Sequence, residues 1–276
     1  MLTLEARRVL AAERRGSSWP VLVETDAGVL FTKLRGAAQG TGALVAEVIA
    51  AELAEALGLR VPARTLVRFG EELESLDRND ELADLLRASQ GINLGFALLA
   101  NAENFAPAAD VDRVRQGDAA AIVWLDGLTA NPDRTAHNPN LLWWHEELWL
   151  IDHGAALGFQ YGLPEVDQRA ARRSYVLREP HLLTSRAGDL TEWDDALAAR
   201  VSKDIVDAAI AAVPDELLSP LLIRGSATAD ALRERRAAYV DYLERRLEPP
   251  RPFLRPVLAP NDQRRRGRPA WMSRGG

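Results

Sequence analysis

Three side chains with oxygen donors, Asp133, Asn138 and Asp152, fall within the stretch 131–154. A carboxylate in a loop, an amide shortly after it and a second carboxylate beyond an apolar run are what phosphoryl transfer to a hydroxyl requires. That reaction needs a base for the acceptor, here Asp133. It also needs two oxygen ligands, here Asn138 and Asp152, for the Mg²⁺ that holds the nucleotide phosphates. The stretch passes from a polar loop into an apolar run over 141–144, a polar turn at His145-Glu146-Glu147, a second apolar run over 148–151, and then Asp152. Two apolar runs around a polar turn read as a β-hairpin. With position 145 as the midpoint, the register sets Asn138 beside Asp152 where the strands part. A carboxylate directly after Leu148-Trp149-Leu150-Ile151 needs a cation, because burying a lone charge is costly. Gly154 next to it leaves room for phosphates.

Several elements must position these groups. A helix expected over 119–130 is stopped by Pro132 just before Asp133, so a rigid element presents a short loop; Asp118 is placed to cap its N-terminus. Pro139 biases Asn138 toward extended backbone and starts the first hairpin strand. Upstream, 7–13, 20–25 and 29–34 read as strands, the last two joined by a tight turn at Asp26-Ala27-Gly28. Gly16-Ser17-Ser18 either lies over nucleotide phosphates with its backbone N–H groups or is a plain hairpin turn. Of 34 Lys and Arg residues only Lys33 and Lys203 are lysine. A lysine is a compact charge that reaches phosphates from a narrow site. Lys33, closing the third strand, either contacts the α and β phosphates or is an exposed strand-end group. A glycine-rich loop over 35–42 leads into a helix expected over 43–57, with Gly58 as its C′ residue. Leu44, Val48 or Ile49, Leu53 and Leu57 form its apolar stripe. Glu47 lies off that stripe on an alanine-lined face, against a neighbouring strand or in solvent, with Glu52 and Glu55 as rivals.

Asp133-Arg134-x-x-x-Asn138, a hairpin and then Asp152-His153-Gly154 resemble the catalytic segment of the HipA-like kinases and of the related actin-fragmin and phosphoinositide kinases. The segment looks like a variant of the His-Arg-Asp to Asp-Phe-Gly segment of ordinary protein kinases. The resemblance reaches upstream to Lys33 and to the spacing from Glu47 to Leu53-Ala54, which is similar to a pattern in which the glutamate pairs with the strand lysine. It implies an α+β, bilobal, protein-kinase-like fold: a small antiparallel sheet plus helix in one lobe and a mainly α-helical second lobe. It also implies ATP and Mg²⁺ as cofactors, Asp133 and Lys33 as catalytic groups, Lys33, Glu47 and Gly16-Ser17-Ser18 around the nucleotide, and Asn138 and Asp152 around the metal. The acceptor stays open between protein Ser/Thr, a lipid head group, a metabolite and autophosphorylation at Ser17 or Ser18, since a fold does not fix a substrate. A different class of function keeps the fold as a nucleotide-binding pseudokinase or interaction module without turnover.

Composition narrows the field. The chain of 276 residues is 47% hydrophobic, ample for a core, and carries a net charge of −6. The tail from Pro260 contributes +4 of this, leaving about −10 on the rest. An acidic body argues against nucleic acid as the main ligand; only the Arg-rich tail, expected to be disordered, suits one. With no cysteine, thiol catalysis, disulfides and thiolate metal sites are excluded. No run is long enough for a membrane span and the first residues are charged, so a cytoplasmic protein is expected. Gly70 and the acidic run over 71–84 mark a change of composition. The expected units are therefore 1–70 (nucleotide-phosphate sheet and helix), 71–258 (catalytic loop, metal site and helices) and 259–276 (basic tail). A mobile loop is expected over 160–184, then helices over 191–201, 203–213, 215–222 and 228–247. A metal hydrolase built on His137, His145 and His153 is disfavoured, because His145 falls at the hairpin turn.

Overall fold

The computed structural model describes residues 1–13, 19–37, 39–162, 169–222 and 227–259. Gly16, Ser17 and Ser18, and the tail beyond Ala259, lie outside the described residues. Three strands open the chain, β1 (Thr3–Ala12), β2 (Val21–Thr25) and β3 (Gly28–Lys33). Val9, Val21 and Val23 turn inward and are fully buried, the alternation of a sheet with one face on a core. Gly28, at φ +111°, closes the turn between β2 and β3. β1 is shared between partners: Thr3 to Glu5 pair in parallel with β4 (Arg64–Phe69), and Ala6 to Ala12 pair antiparallel with β2. Register shifts between Ala6 and Arg8 and between Val9 and Ala11 bend it between the two.

The sheet therefore closes on itself. With β5 (Glu74–Ser75) and β6 (Gly91–Ala97) its order is β2-β3-β6-β4-β1-β5, and the extra β2–β1 pairing makes a barrel-like ring. The expected small antiparallel sheet is instead a closed, mixed one. The expected break at residue 70 falls inside it, since β6 sits between β3 and β4, and β5 pairs with β1. Helix α1 (Gly40–Ala56) is buried on nearly every side, and a 6→1 bond from Leu59 N to Ala54 O ends it with Gly58 at φ +80°. The acidic run leads into α2 (Asp80–Ala88), capped by Asn79 Oδ1 accepting from Leu82 N at 3.0 Å. Leu82 and Leu86 of α2 pack on Val9, Val23 and Val67.

After β6 the chain leaves the sheet through 98–102 and reaches β7 (Glu103–Asn104), α3 (Pro107–Asp110) and α4 (Gln116–Thr129). Asp118 lies inside the first turn of α4, where it accepts from Arg115 Nε at 2.8 Å, rather than at the cap position. The hairpin is β8 (Leu141–Trp144) and β9 (Glu147–Leu150), with His145 and Glu146 at φ 50° and 61° in a two-residue turn. Trp144 pairs with Glu147, so the pairing centres between 145 and 146 and every partner is one position further on than expected. Asn140 and Asp152, at φ 50° and 57°, both leave the strand conformation. Side-chain alternation therefore stops short of Asn138 and Asp152.

Residues 169–184 are docked rather than loose: Tyr175 and Leu177 of the segment containing β10 (Val176–Leu177) are buried, as are Ala171 and Leu183. Helices α5 (Thr184–Ala187), α6 (Asp194–Ala198), α7 (Lys203–Ala211), α8 (Asp215–Leu218) and α9 (Ala229–Leu247) complete this part, and β11 (Val257–Leu258) pairs with β10. The helices expected over 191–201 and 215–222 are short α pieces joined to 3₁₀ turns. One large apolar core joins α1 to α4, α7 and α9, which fixes α1 between the sheet and the helices. Among the described residues no helix is long and apolar enough to cross a membrane.

Candidate active site

The end of β3, the middle of α1 and the residue after β9 meet at one point. Lys33 Nζ donates to Glu47 Oε1 and, at 2.7 Å, to Asp152 Oδ1. Glu47 is 1% exposed and Lys33 9%, so neither the solvated glutamate nor the exposed strand-end lysine describes them; Glu52 and Glu55 instead bind Arg64. The backbone reaches this geometry because the segment after α1 bridges the hairpin, Leu150 N donating to Arg60 O at 2.8 Å. Gly154 lets the chain pass close to α1. A Cβ on it would stand 3.3 Å from Ala43 Cβ and 3.4 Å from Glu47 Oε1.

The electrostatics of this trio are unbalanced, with two carboxylates sharing one ammonium. Burial pulls Lys33 down, but Glu47 and Asp152 outweigh it and hold the ammonium above its ordinary value. Burial pushes Asp152 up, yet Lys33 more than offsets this and keeps it an anion. Glu47 lies deepest, and burial pushes it up despite Lys33 and a bond from the backbone of His153. His153, also buried, is lowered to about 3 by burial and by Arg134. It is thus neutral, with Nδ1 facing Arg134 Nη2 at 3.4 Å and Nε2 unpartnered among the described residues.

The trio forms the polar end of a cleft of about 440 Å³ whose other walls are mostly apolar, among them Phe31, Phe96, Val61, Leu142 and Leu150, with Glu13 and Asn104 also in the lining. Residues 97–99, where the chain leaves β6, form one side. A volume and lining of this kind suit a planar, partly apolar ligand with an anionic end.

Asp133 and Asn138 belong to a second cluster, on the loop after α4. Asn138 Nδ2 donates to Asp133 Oδ2 at 2.9 Å, and Asn140 Nδ2 to Asp133 O at 2.7 Å. The structure thus joins Asp133 to Asn138 and Lys33 to Glu47 and Asp152. Asn140 ties the two groups together: its carbonyl accepts from Arg134 Nη1 at 2.6 Å and from Ile151 N at 3.1 Å. Behind the loop, Arg134 Nε donates to Asp126 Oδ2 at 2.6 Å, and His181 Nε2 lies 2.9 Å from the same oxygen. Asn131 Nδ2 donates to Asp126 Oδ1 at 2.9 Å, while Asn131 Oδ1 accepts from Asp133 N at 3.1 Å. Burial pushes Asp126 up, but Arg134 and His181 win and hold it far below the carboxylate range.

Asp126, His181 and Asn140 were not singled out in the sequence. Asp126 carried a usable signal: it is the lone charge in the apolar helix stretch 119–130, and the argument applied to Asp152 applies to it equally. His181 lies 55 positions away and carried none.

The donors available to a metal are Asp152 Oδ2, whose companion oxygen holds Lys33, and Asn138 Oδ1, whose amide nitrogen holds Asp133. Both are hard oxygen ligands, and the trio's excess negative charge is what a divalent cation would balance. Among the described residues no three acidic or histidine side chains gather as a metal cage. Mg²⁺ completed by nucleotide phosphates and water needs none.

A family model described as HipA-like kinase matches residues 7–219. Among solved structures, the crystal structure of the Helicobacter pylori proinflammatory kinase CtkA is similar, with a TM-score of 0.52 and 12% sequence identity, covering 89% of this chain and 98% of that one. At that identity the likeness speaks for the fold alone. No curated protein matches the sequence.

Proposed function

We propose that this chain, which belongs to the HipA-like kinase family shown by that match, moves the γ-phosphoryl group of ATP to a hydroxyl acceptor with Mg²⁺. The single observation that carries the reading is the Lys33–Glu47–Asp152 trio at the polar end of an apolar cleft. In this reading the sheet over 1–97 and the helical remainder act as two lobes, and the base lies between Phe31, Phe96 and residues 97–99. Lys33 reaches the α and β phosphates, and Glu47 holds its ammonium in place. Asp152 and Asn138 hold the metal, which when bound draws charge off the transferring phosphoryl group. Asp133 accepts the acceptor hydroxyl's proton as the O–P bond forms. A protein Ser or Thr is the acceptor class we favour.

Asp152 is held by Lys33 in this conformation and would exchange one partner for another as nucleotide enters. Its left-handed backbone, φ 57°, is the local strain common at such switch positions. The test is transfer of labelled phosphate from ATP, with and without chelator, to the chain itself and to mixed protein, lipid and metabolite acceptors. Chelator-sensitive transfer, and nucleotide binding that Lys33→Ala weakens, are expected. ATP bound with full affinity by Lys33→Ala would refute the site, and binding without transfer to any acceptor would refute the reaction while leaving the site.

A further inference from the structure

Helix α1, which carries Glu47, has a weak first turn. Gly40, Thr41 and Gly42 open it, and glycine is the poorest helix former after proline. The N-cap residue Gln39 makes no side-chain cap, and no acidic side chain stands in the first turn. The helix enters the apolar core only at Leu44 and Val45. Gly42 is nonetheless buried, and the ring of Tyr161 lies on it. A Cβ at position 42 would stand 2.8 Å from Tyr161 Cε1, 2.9 Å from its hydroxyl oxygen and 3.0 Å from Cζ. The hydroxyl donates to Gln39 O at 3.4 Å, a long bond, so the close packing of the ring is the stronger part of the contact.

Tyr161 is presented to α1 by neighbours fixed elsewhere. In the turn Gly158–Gly162, Phe159 stacks on Tyr242 of α9 with ring centroids 3.8 Å apart. Gln160, 2% exposed, accepts at Oε1 from the Tyr239 hydroxyl and at its carbonyl from Arg235 Nη2, both at 2.8 Å. These contacts anchor the turn on α9, and Tyr161, 55% exposed, reaches from it to the start of α1. The chain that follows Asp152 therefore meets α1 twice, at Gly154 beside Ala43 and Glu47, and at Tyr161 on Gly42. Glu47 follows Gly42 by about 7.5 Å of helix rise, so a shift of the first turn is carried to the carboxylate that holds Lys33.

We propose that Tyr161 is a positioning residue for the Lys33–Glu47 pair: its ring, seated on Gly42, clamps the first turn of α1 to the segment that follows Asp152 and so holds Glu47 against the lysine. The inference rests on the kinase reading for what the pair is used for. With the ring away, α1 samples an unseated state in which the ammonium is no longer aimed at the phosphates. Only the seated fraction then takes ATP, so apparent affinity falls by that fraction while saturating ATP restores both the seat and the turnover.

The experiment compares the full chain as wild type, Tyr161→Phe, Tyr161→Ala and Gly42→Ala, by hydrogen exchange over 40–47 and by titration with ATP and Mg²⁺. Tyr161→Ala should raise exchange there about tenfold and weaken ATP binding, and with it KM, about tenfold, with kcat held within about twofold. Tyr161→Phe keeps the ring and should behave as wild type. The methyl of Gly42→Ala pushes a half-exposed ring into solvent, so this variant should resemble Tyr161→Ala; added to Tyr161→Ala it should cost nothing more. In a Glu47→Gln background Tyr161→Ala should change ATP affinity by less than about twofold, because its effect runs through Glu47. Unchanged exchange or unchanged ATP affinity in Tyr161→Ala would overturn the proposal. So would a loss in Tyr161→Phe as large as in Tyr161→Ala, or an undiminished loss in the Glu47→Gln background. Exchange and ATP affinity need no turnover, so failure of the phosphoryl transfer and failure of this inference are distinguishable. If wild type binds no ATP the kinase reading falls, and exchange over 40–47 alone decides whether Tyr161 seats α1.

Discussion

Two clusters of charge sit on either side of the loop that carries Asp133. In one, Lys33 serves Glu47 and Asp152 at the end of an open cleft, and two carboxylates share one cation. In the other, Asp126 is wholly enclosed by Arg134, His181 and Asn131, and both of its oxygens are satisfied. The closed cluster is complete without a ligand. The open one carries an excess charge that folding alone does not settle, a condition that makes sense only where something else is to bind. The same side-chain chemistry thus serves rigidity where it is balanced and binding where it is not.

The sharpest way to break this contrast is to remove one carboxylate from each cluster. Asp152→Ala should lower phosphoryl transfer about 10⁴-fold, roughly 5 kcal/mol in the transition state, while the melting temperature changes little, since the lost bond from Lys33 is offset by relief of repulsion with Glu47. Asp126→Ala should do the reverse in kind. Leaving Arg134 buried and unpaired costs about 3–5 kcal/mol of stability, read by urea unfolding. If Asp152→Ala unfolds the protein and Asp126→Ala does not, the assignment of roles is wrong.

Acid sharpens the same point for the closed cluster. Because Asp126 titrates in the folded chain well below its ordinary value of 3.8, its contribution to stability is fully present above that value. It is lost as the pH falls through the folded value. Wild type should therefore lose stability relative to Asp126→Ala as the pH drops below about 4, measured by urea midpoints across that range. A constant difference between the two proteins would show that Asp126 is not held as an anion.

Between these extremes lies Glu47→Gln, which keeps shape and one acceptor but removes charge. Lys33 keeps Asp152 and loses its anchor, so transfer should fall about 10²-fold, roughly 2.7 kcal/mol, with stability changed little or improved. Equal activity in wild type and Glu47→Gln would make Glu47 a mere filler of the helix face.

How these clusters could be read in the sequence follows the same division. Lys33, Glu47 and Asp152 stood out because each is out of place by type, a rare lysine on a strand, an acid among alanines and an acid after four apolar residues, while Asp133 and Asn138 stood out by their spacing to Asp152. In the closed cluster Asp126 carried a signal and lies within eight positions of Asn131 and Arg134, but its partner His181, 55 positions on, is brought in only by the docking of 169–184. The barrel-like closure was hidden for a related reason. It depends on bulges that divide β1 between two partners, and on β6, where Ile92, Leu94 and Phe96 alternate but two glycines and an asparagine between them weaken the strand signal. The buried Asn93 within it is satisfied by Ser89 O at 2.8 Å, Gly91 O at 3.0 Å and Arg35 N at 2.8 Å. Those contacts let an amide side chain sit buried inside the sheet. The one-position error at the hairpin came from assuming a single central residue where His145 and Glu146 share the turn.

The smallest expected effect tests whether the helix that presents the loop is itself under strain. Ala130 ends α4 in the left-handed conformation, φ 51° and ψ 43°, where a Cβ costs about 1 kcal/mol and a glycine nothing. The chain bears that cost to turn sharply into Asn131, whose N–H returns to Asp126 O at 2.8 Å. Ala130→Gly removes the strain but gives the unfolded chain more freedom, so the two effects partly cancel. A net gain of at most about 1 kcal/mol in urea unfolding is expected, with phosphoryl transfer unchanged. If transfer instead falls while stability rises, the stiffness of that turn belongs with the open cluster's function rather than with the closed cluster's balance, and the line drawn between the two would have to pass through α4 itself.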